Sequence, residues 1–564
     1  MKTFTSLPLA LGLLLAACRA AEAGAIPAEH REFEATLYAP YRADASSIAA
    51  QPEARTFTMA FDYPGLEVPR TVSWRLELMA PSGAVVQRWQ GSTELSGAPV
   101  AVSVRWPDPD NRARFAAGIY RVRLLASVAG DDGGVEEAEQ SWDIAVGQPV
   151  APVMPAFAPL PRAGALLQVA PAPAALPFTV FLGNLHSQTN HSDGGGELAS
   201  CKGAQEPQSA RFGPEQAFSY ARERGLDLLV ASEHNHMYDG SDGTNPDADP
   251  AKASALYRQG RAAAARFSSA NPDFLALYGL EWGVINKGGH LNIFNTPELL
   301  GWEANANGEL LADTLTPRND YGALYTLMRS RGWVGQFNHP SSGGQFVANG
   351  KPLGYTPDGD QAMVLCEVLN STAFSTNTSE TETRRSNYEK ACNKILEAGY
   401  HVAFSSNQDN HCANWGASYT NRTGVLVPSG TALSEASFIE ALKARRVFAT
   451  MDKSSQLVLT ANGRMMGERF SNSGPLTLVA HFASTAGKTV AAVAIMEGVP
   501  GRNGTVTQMS DAASSTFRPS PGEHFYYAKV TQSDGNVLWS APVWVTQAPP
   551  PPPLLLLRNG LHFE

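Results

Sequence analysis

The chain has 564 residues, which is too long for one compact core and predicts roughly three or four domains. Hydrophobic residues make up 43% of it and charged residues 17%, so its composition excludes a disordered protein. Its formal net charge of −10 argues against nucleic acid as a partner, because a phosphate backbone favours a basic face.

The N-terminus has the pattern of a secretion signal over residues 1–17. Lys2 supplies a positive start, and the apolar segment Leu7–Ala17 is too short to span a bilayer. The segment ends in "LAAC", which resembles a bacterial lipobox, a signal in which the cysteine, here Cys18, is lipidated. The alternative is ordinary cleavage near "AEAGA". We therefore expect an exported protein, lipid-anchored in the bacterial cell envelope at the periplasm or outer membrane.

Two regions rich in short strands flank a region of different texture. Residues 27–148 contain alternating segments such as "RTFTMAFDY" and "GIYRVRLLASV", which predict an antiparallel β-sandwich. Residues 149–177 are rich in Pro and Ala and predict a linker or a packed extended segment. Residues 455–546 again favour strands and predict a C-terminal β-domain, and 547–564 form a Pro-rich tail.

The middle region, residues 178–450, alternates apolar strands with helical stretches such as "GPEQAFSYARERG". This alternation predicts an α/β domain with a mainly parallel sheet or barrel. Seven apolar segments between 178 and 411 carry metal-ligand side chains or polar anchors at one end. These are His186, Glu233 and His234, Glu281, His290, His339, Glu367 and Asn370, and Asp409 and His411.

The shared placement of these side chains favours a metal site. Each residue alone fits a surface group, a satisfied core residue or a helix cap. Parallel strands of an α/β barrel, however, place their C-terminal ends around one mouth. Imidazoles and carboxylates gathered there suit Zn, Mn or Fe ions. His191 and His236 lie beside the main ligand positions and fit ligand-supporting or substrate-facing roles.

The order of the motifs "NLHSQTNHSDG", "SEHNH", "GLEW", "GGHLNIFN", "FNHP", "EVLN" and "NQDNH" resembles the PHP (polymerase and histidinol phosphatase) superfamily, particularly its secreted CehA/McbA-like metallohydrolases. The resemblance covers roughly residues 180 to 450. It implies a distorted (β/α)₇ barrel flanked by the N-terminal and C-terminal β-sandwich domains. It also implies two or three divalent metal ions that hydrolyse phosphoesters at the mouth of the barrel.

The resemblance assigns roles to individual residues. Glu281 matches the carboxylate that bridges two metals, and Glu281, Asp409 and His339 are the expected catalytic residues. His186 matches the first His of an HxH motif, and Asp193 the Asp of "SDG". The expected metal ligands are His186, Asp193, Glu233, His234, Glu281, His290, His339, Asp409 and His411.

Three positions depart from the family pattern. The second His of HxH is Gln188, whose amide oxygen is a weaker ligand for zinc-like ions than an imidazole nitrogen. Glu233 replaces the usual Asp, and the metal position at Gln188 is expected to be weak, absent or supported by Glu233. Asn184 replaces the leading Asp of "DLH", so the carboxylate that would orient His186 is altered.

Substrate contacts are expected on the loops at the mouth. A phosphoester needs cations there, and the candidates are Arg211, Lys287 and Arg422. Asn235 and His236, beside the His234 ligand, complete the expected substrate-binding set.

Four cysteines remain after Cys18, and they allow three disulfide pairings or buried free thiols. Cys201 follows the first ligand loop and Cys412 directly follows His411. Because both loops should lie at the mouth, we expect a Cys201–Cys412 disulfide. Cys366 and Cys392 would then be buried thiols or a second pair.

The function expected from these features is an exported metal-dependent phosphoesterase. It would hydrolyse a phosphate mono- or diester of a small molecule through a metal-bound hydroxide. One alternative is hydrolysis of a carbamate, ester or amide bond, since the same hydroxide serves both. Another is a degenerate lipoprotein that binds a ligand without turnover, which Gln188 would favour.

Overall fold

In a computed structural model, the structure describes residues 33–43, 53–66, 68–107, 115–130, 133–162, 176–284, 288–341 and 344–550. The signal peptide, Cys18 and Lys287 lie outside the described residues, as does most of the C-terminal tail. None of the helices within the described ranges is long and apolar enough to cross a membrane.

The N-terminal strands form two antiparallel sheets. They are β1 (Glu34–Tyr38), β2 (Arg55–Asp62), β3 (Arg70–Met79), β4 (Val85–Leu95), β5 (Val100–Trp106), β6 (Gly118–Ala129) and β7 (Val135–Val146). One sheet has the order β1-β2-β5 and the other β4-β3-β6-β7. Alternate residues of β2 and β6 are buried, as expected for strands with one face on a core.

The middle of the chain contains the helices and the most deeply buried strands. Its strands are β8 (Phe178–Asn184), β9 (Leu228–His234), β10 (Leu275–Trp282), β11 (Leu291–Ile293), β12 (Leu300–Gly301), β13 (Thr314–Leu315), β14 (Gly335–Phe337), β15 (Met363–Ser371), β16 (Arg385–Asn387), β17 (Ala403–Asn407), β18 (Arg422–Pro428) and β19 (Val447–Thr450). Its helices are α1 (Pro214–Glu223), α2 (Pro250–Ala270), α3 (Tyr321–Arg331), α4 (Pro357–Ala362), α5 (Glu389–Ala398) and α6 (Glu435–Lys443), with a 3-10 turn at Met237–Asp239.

The remaining strands belong to the C-terminal region. They are β20 (Ser455–Ala461), β21 (Arg464–Met465), β22 (Arg469–Asn472), β23 (Leu476–Ser484), β24 (Val490–Gly498), β25 (Thr507–Ser510), β26 (Ser514–Phe517), β27 (Gly522–Gln532), β28 (Val537–Ser540) and β29 (Val543–Gln547). Strands β21-β20-β23-β26 form a separate sheet, and the others extend the central sheet.

The expected α/β barrel is wrong. Among the described residues 41% lie in strands and 15% in six helices, so the protein is mostly β-sheet with sandwich-like sheets. The central sheet has the mixed order β16-β15-β14-β11-β10-β9-β8-β18-β19-β28-β27-β24-β25. The antiparallel pairing of β18 with β19, and of β19 with β28, extends the central sheet directly into the C-terminal strands. Local strand–helix alternation in the sequence did not reveal these long-range antiparallel pairings.

One edge of this mixed sheet nevertheless gathers strand ends. β8, β9 and β10 are mutually parallel, and β14, β15 and β17 form a second parallel group. β11 joins the two groups and runs antiparallel to both β10 and β14. The start of β11 therefore lies beside the ends of the parallel strands, which places His290 with side chains that follow strands β8, β9 and β14.

The segment after β7 packs against the C-terminal strands over its described part. The backbone of Leu160 exchanges two hydrogen bonds with the Gln456 side chain, and Val180 N–H donates to the Pro161 carbonyl. Leu160 thus packs at the end of this segment, whereas Val150 and Val153 are exposed, so residues 149–162 are packed only in part.

Candidate metal centre

Eight of the nine expected ligands lie together at the gathered edge. Seven of them form three overlapping groups. Within each group, the ligand atoms lie within 4.8 Å of one another. The groups are His186–Glu281–His339, His234–Glu281–His290 and Asp193–His234–His411. Asp409 adjoins the first and third groups. These buried clusters can hold metal ions.

Glu281 occupies the centre of the cluster. Its Oε2 lies 2.9 Å from His186 Nε2 and 3.6 Å from His234 Nδ1. Its Oε1 lies 3.1 Å from His290 Nδ1 and 3.4 Å from His339 Nε2. Each carboxylate oxygen thus faces two imidazoles, which is the arrangement of a carboxylate that bridges two ions.

Asp193 and Asp409 extend the cluster on the side of His411. Asp193 lies 3.4 Å from His411 Nε2 through Oδ2 and 3.7 Å from His234 Nε2 through Oδ1. Asp409 Oδ1 lies 3.0 Å from His186 Nε2. Asp409 has a φ of +51° and His339 a φ of +26°, both in the left-handed region that L-residues rarely adopt. Such backbone strain clusters at functional sites.

The first and last ligand loops are tied together by backbone hydrogen bonds. Asp409 N–H donates to the His186 carbonyl, and Gly196 N–H donates to the His411 carbonyl. Within the first loop, Gly195 has a φ of +77°, and a Cβ there would lie 2.1 Å from the Phe212 carbonyl oxygen. Only glycine fits this turn. Gly195 is the middle residue of three consecutive glycines, 194–196, and the structure requires glycine at this middle position.

A carboxylate that the sequence analysis left without a specific role orients His186. Glu367 Oε1 accepts from His186 Nδ1 at 3.2 Å, and Glu367 Oε2 accepts the His339 N–H at 2.8 Å. The expectation that Asn184 leaves His186 without an orienting carboxylate is therefore corrected. Asn338 Nδ2 adds a bond to Glu281 Oε1 at 2.8 Å, and no sequence signal beyond the "FNHP" motif pointed to it.

The charges at the centre compensate one another. Burial opposes ionisation of His186, but Asp409, Glu281 and Glu367 raise its pKa well above the ordinary value. Burial likewise opposes the charge on His411, yet Asp193 and Asp409 raise its pKa to about 10. Protonated imidazoles thus balance buried carboxylates in the metal-free protein.

Several ligand atoms make no hydrogen bond with the described residues. His234 Nδ1, His290 Nε2 and Asp193 Oδ1 are buried and make no hydrogen bond. Buried polar atoms without partners are costly, so they indicate a missing binding partner. Imidazole and carboxylate donors in this number suit Zn-, Mn- or Fe-type ions. The residues therefore fit a metal centre.

Glu233 does not join the cluster, so its prediction as a ligand is wrong. Its carboxylate accepts from Thr189 N–H, Thr189 Oγ1 and Ser192 Oγ. Burial raises its pKa to about 7. Glu233 therefore fixes the first ligand loop. Gln188 Nε2 donates to Glu281, and Gln188 Oε1 has no hydrogen-bond partner, so a weak ligand role for Gln188 stays a prediction.

Two of the predicted substrate-binding cations are occupied elsewhere. Arg422 is buried, bonds to carbonyls of the Gly416–Asn421 segment and pairs with Glu380 at 2.9 Å, so its prediction as a substrate contact is wrong. Arg211 is largely exposed and pairs with Glu197. Neither arginine lines the cavity described below.

The other predicted substrate contacts have structural partners. Asn235 bonds to the Leu300 carbonyl and to Gly283 N–H, which leaves its amide engaged. His236 stacks on Trp302 and lies 3.7 Å from Asp242. His191 Nδ1 bonds to the Tyr278 hydroxyl at 2.7 Å, and burial lowers the pKa of His191 to about 4.

The structure contains the Cys201–Cys412 disulfide that the loop positions predict, with a Cα–Cα distance of 5.8 Å. Cys366 and Cys392 form a second disulfide, which the sequence left open beside free thiols. The first bond fastens the Asp193 loop to the His411 loop.

A cavity of about 770 Å³ opens over the centre. Its floor contains six of the ligands, and its walls come from several parts of the chain. The ligands on the floor are Asp193, His234, His290, His339, Asp409 and His411. The walls include Glu34 from β1, Glu206, Asp242, Asn370, Phe374 and Tyr388.

No protein-family model and no curated protein matches the chain. Among solved structures, the chain is similar to a putative ApaA protein from Bordetella pertussis at 17% identity, covering 20% of this chain and 92% of that one, with a TM-score of 0.15. A β-glucuronidase from Bacteroides uniformis matches at 11% identity over 92% of this chain, with a TM-score of 0.15. The match spans 63% of that enzyme. Likenesses this weak carry no argument about the chain.

Proposed function

We propose that the chain is an exported metal-dependent hydrolase that cleaves a phosphate mono- or diester of a small molecule. The observation that carries the proposal is the sharing of ligands. Glu281 belongs to two of the three ligand groups and His234 to two. Shared ligands suit two or three neighbouring ions rather than one isolated structural ion.

The cavity supports an enzyme over a structural metal site. A structural zinc site is closed by its protein ligands, whereas a catalytic one keeps an open position. Six of the ligands here line an open cavity large enough for a small molecule.

Divalent ions bound here would supply an activated water at neutral pH and positive charge for the developing oxyanion. The protein residues have separate tasks. Glu281 holds the centre together, Glu367 fixes the ring of His186, and Asn338 fixes Glu281. The cavity walls orient the substrate over the ligands.

The phosphoester assignment draws its support from the likeness of the ligand motifs to those of the PHP superfamily. That likeness concerns the motifs alone, since the barrel expected with them is not formed. A second candidate reaction is hydrolysis of a carbamate, carboxylic ester or amide. It is favoured because no Lys or Arg occurs among the described residues that line the cavity. The metal ions alone would have to balance the negative charge of a phosphate monoester.

Export and a lipid anchor belong to the same proposal. Two disulfides close within the described chain, and disulfides persist in oxidising compartments outside the cytosol. The N-terminal signal ending at Cys18 supports an anchor in the bacterial cell envelope.

The test begins with metal-free protein reloaded separately with Zn²⁺, Mn²⁺ or Fe²⁺. Hydrolysis is then measured with p-nitrophenyl phosphate, bis(p-nitrophenyl) phosphate and p-nitrophenyl acetate. We expect metal-dependent turnover of a phosphate ester. Turnover of the acetate alone would select the second candidate, and metal binding without any turnover would leave a binding protein.

Glu281→Gln and Glu233→Gln form a matched pair for this test. Both carboxylates are buried at strand ends, but only Glu281 faces the imidazoles. Glu281→Gln should lose at least one metal equivalent and about 10²–10³-fold in rate, the range seen when one preorganised charge-stabilising group is removed. Glu233→Gln should keep its metal. Equal metal loss in both variants would contradict the assignment.

A further inference from the structure

The cavity over the metal centre has an acidic and aromatic wall. The described residues that line it include Glu34, Glu206 and Asp242 in addition to the ligand carboxylates, and none of them is Lys or Arg. A cleft lined by one sign of charge concentrates ligands of the opposite sign. The wall therefore favours a substrate whose non-reacting part is positively charged.

Glu34 reaches the cavity from the N-terminal sheets. Its strand, β1, packs against β16 of the central sheet. Asn387 of β16 adds bonds to the neighbouring strand β7, at Gln140 Oε1 and the Ser141 carbonyl. Glu34 thus belongs to a different sheet from every metal ligand, and its place in the cavity depends on this docking.

The position of Glu34 is costly without a ligand. It lies directly opposite Asp62 in the antiparallel β1–β2 pair, and like charges in that position repel. Of the two cationic groups that act on Glu34, His339 is itself an expected metal ligand, and Arg384 is bonded to Glu382 and does not line the cavity. A bound cation would relieve this repulsion.

Asn370 gives an independent sign of a ligand. The side chain is 5% exposed and lines the cavity. Its Nδ2 donates to Glu367 Oε2 at 3.2 Å, which fixes the amide, while its Oδ1 has no hydrogen-bond partner. A buried acceptor held in this way favours a hydrogen-bond donor or a positive charge in the cavity.

Two aromatic rings complete the wall. Phe374 and Tyr388 line the cavity, and the Phe374 ring lies 5.0 Å from the His411 ring. Aromatic faces attract ammonium groups, and the attraction grows when water is excluded.

We infer that the cavity recognises an alkylammonium group on the substrate, held by Glu34, Asn370 Oδ1 and the aromatic wall beside the bond that is cleaved. The inference rests on the proposed function, because it names the substrate class of that site: esters of amino alcohols. Choline-type esters fit the class because their choline part, which does not react, carries a fixed positive charge.

The experiment compares two isosteric probes on the metal-loaded chain. p-Nitrophenyl phosphorylcholine carries a trimethylammonium group, and p-nitrophenyl 3,3-dimethylbutyl phosphate replaces it with an uncharged tert-butyl group. We expect kcat/KM for the choline probe to exceed that for the neutral probe by about tenfold, which corresponds to ~1.4 kcal/mol. Glu34→Gln should reduce this ratio to near unity.

Glu137→Gln is the control, because Glu137 is an exposed glutamate on β7 of the same N-terminal sheets and does not line the cavity. It should keep the wild-type ratio. A ratio near unity in the wild type, or a ratio unchanged by Glu34→Gln, would overturn the inference while leaving the hydrolase proposal standing.

A binding measurement separates failure of the proposed function from failure of the inference. Calorimetric titration of the metal-loaded chain with choline and with 3,3-dimethylbutanol reports charge selectivity without turnover. Tighter binding of choline that is lost in Glu34→Gln supports the inference even if neither phosphodiester is cleaved. Equal binding of both alcohols contradicts it.

Discussion

His186 and His411 show how single residues of this centre are prepared for metal. Both rings lie among carboxylates that hold their pKa values above the ordinary range, so both are protonated at pH 7 in the metal-free protein. A metal ligand must be neutral imidazole. Protons and metal ions therefore compete for the same nitrogen atoms.

Metal binding at pH 7 should accordingly release about two protons per chain, one from each of these rings. The measurement is calorimetric titration with Zn²⁺ in buffers that differ in ionisation enthalpy. Apparent affinity should rise from pH 6 to pH 8, since deprotonation becomes easier as pH increases. An affinity that is constant over this range would show that neither ring carries a proton.

Gln188 is the residue at which the centre differs most from a full imidazole set. Gln188→His should add an imidazole next to Glu281 and raise the metal content that survives dialysis, because imidazole nitrogen binds zinc-like ions better than an amide oxygen. Gln188→Ala should lose little metal. If Gln188→Ala loses a full equivalent and Gln188→His gains none, the amide is itself a committed ligand.

At this scale the sequence predicted ligands better than it predicted their supports. Ligand-type residues at strand ends were visible as a repeated pattern, and seven of them do come together, joined by Asp193, which the motif resemblance indicated. Glu233 matched the same pattern, yet its carboxylate accepts hydrogen bonds from Thr189 and Ser192 and fixes the first ligand loop instead. The role of Glu367 depends on β15 lying beside β14 and β17, a pairing that no local pattern contains.

At the scale of elements, the disulfide between the first and last ligand loops is the main constraint on the Asp193–His411 side. Cys412 directly follows His411, and the Gly196 backbone pairs with the same segment on both sides of it. The bond therefore limits how far Asp193 and His411 can separate.

The double variant Cys201→Ala/Cys412→Ala should bind its most weakly held metal about tenfold less tightly, within the range seen when groups that support metal ligands are removed. Competition with a coloured chelator measures this. The comparison variant Cys366→Ala/Cys392→Ala also removes one disulfide, between β15 and α5 on the Glu367 side of the centre and away from the Asp193 loop. It should lower Tm without this loss, so an equal loss in both variants would contradict the role of the first bond.

Fold prediction failed at the level of strand pairing. The strand–helix alternation in the middle of the chain was real, and the six helices of the described chain lie there. The direction of each strand depends on contacts between residues far apart in sequence. The pairing of β19 with β28 is one such contact. Binary patterns specify which residues are buried, and they leave the partner of a strand that is buried on both faces undetermined.

At the scale of the whole molecule, the N-terminal sheets complete the cavity wall. Charge pairs reinforce the docking: Lys390 bonds to Glu139, and half-buried Lys529 lies between Asp143 and Glu389. These pairs connect the N-terminal sheet to α5 and to β27. The docking brings Glu34 into a half-buried position in the wall of the cavity that the metal ligands also line.

Glu34 should make the stability of the metal-free protein depend on pH. Burial, with Asp62 and Asp409, raises its pKa from 4.5 to about 7 against the opposing influence of His339 and Arg384. Between these two values the folded protein holds a proton that the unfolded chain has released. Stability from this group is therefore present below pH 4.5 and is lost as pH rises toward 7.

Glu34→Gln removes this titration and keeps the shape of the side chain. Its Tm should exceed that of the wild type by about 2 °C or more at pH 7.5, and the difference should shrink as pH falls to 4.5. Scanning calorimetry on metal-free protein at four pH values measures it, with Glu137→Gln as the control for loss of one negative charge. A difference of the same size at every pH would mean that Glu34 ionises normally and is not shielded from water in the cavity wall. The ammonium-binding role would then lose its structural basis, because an exposed carboxylate offers little selectivity for a cation.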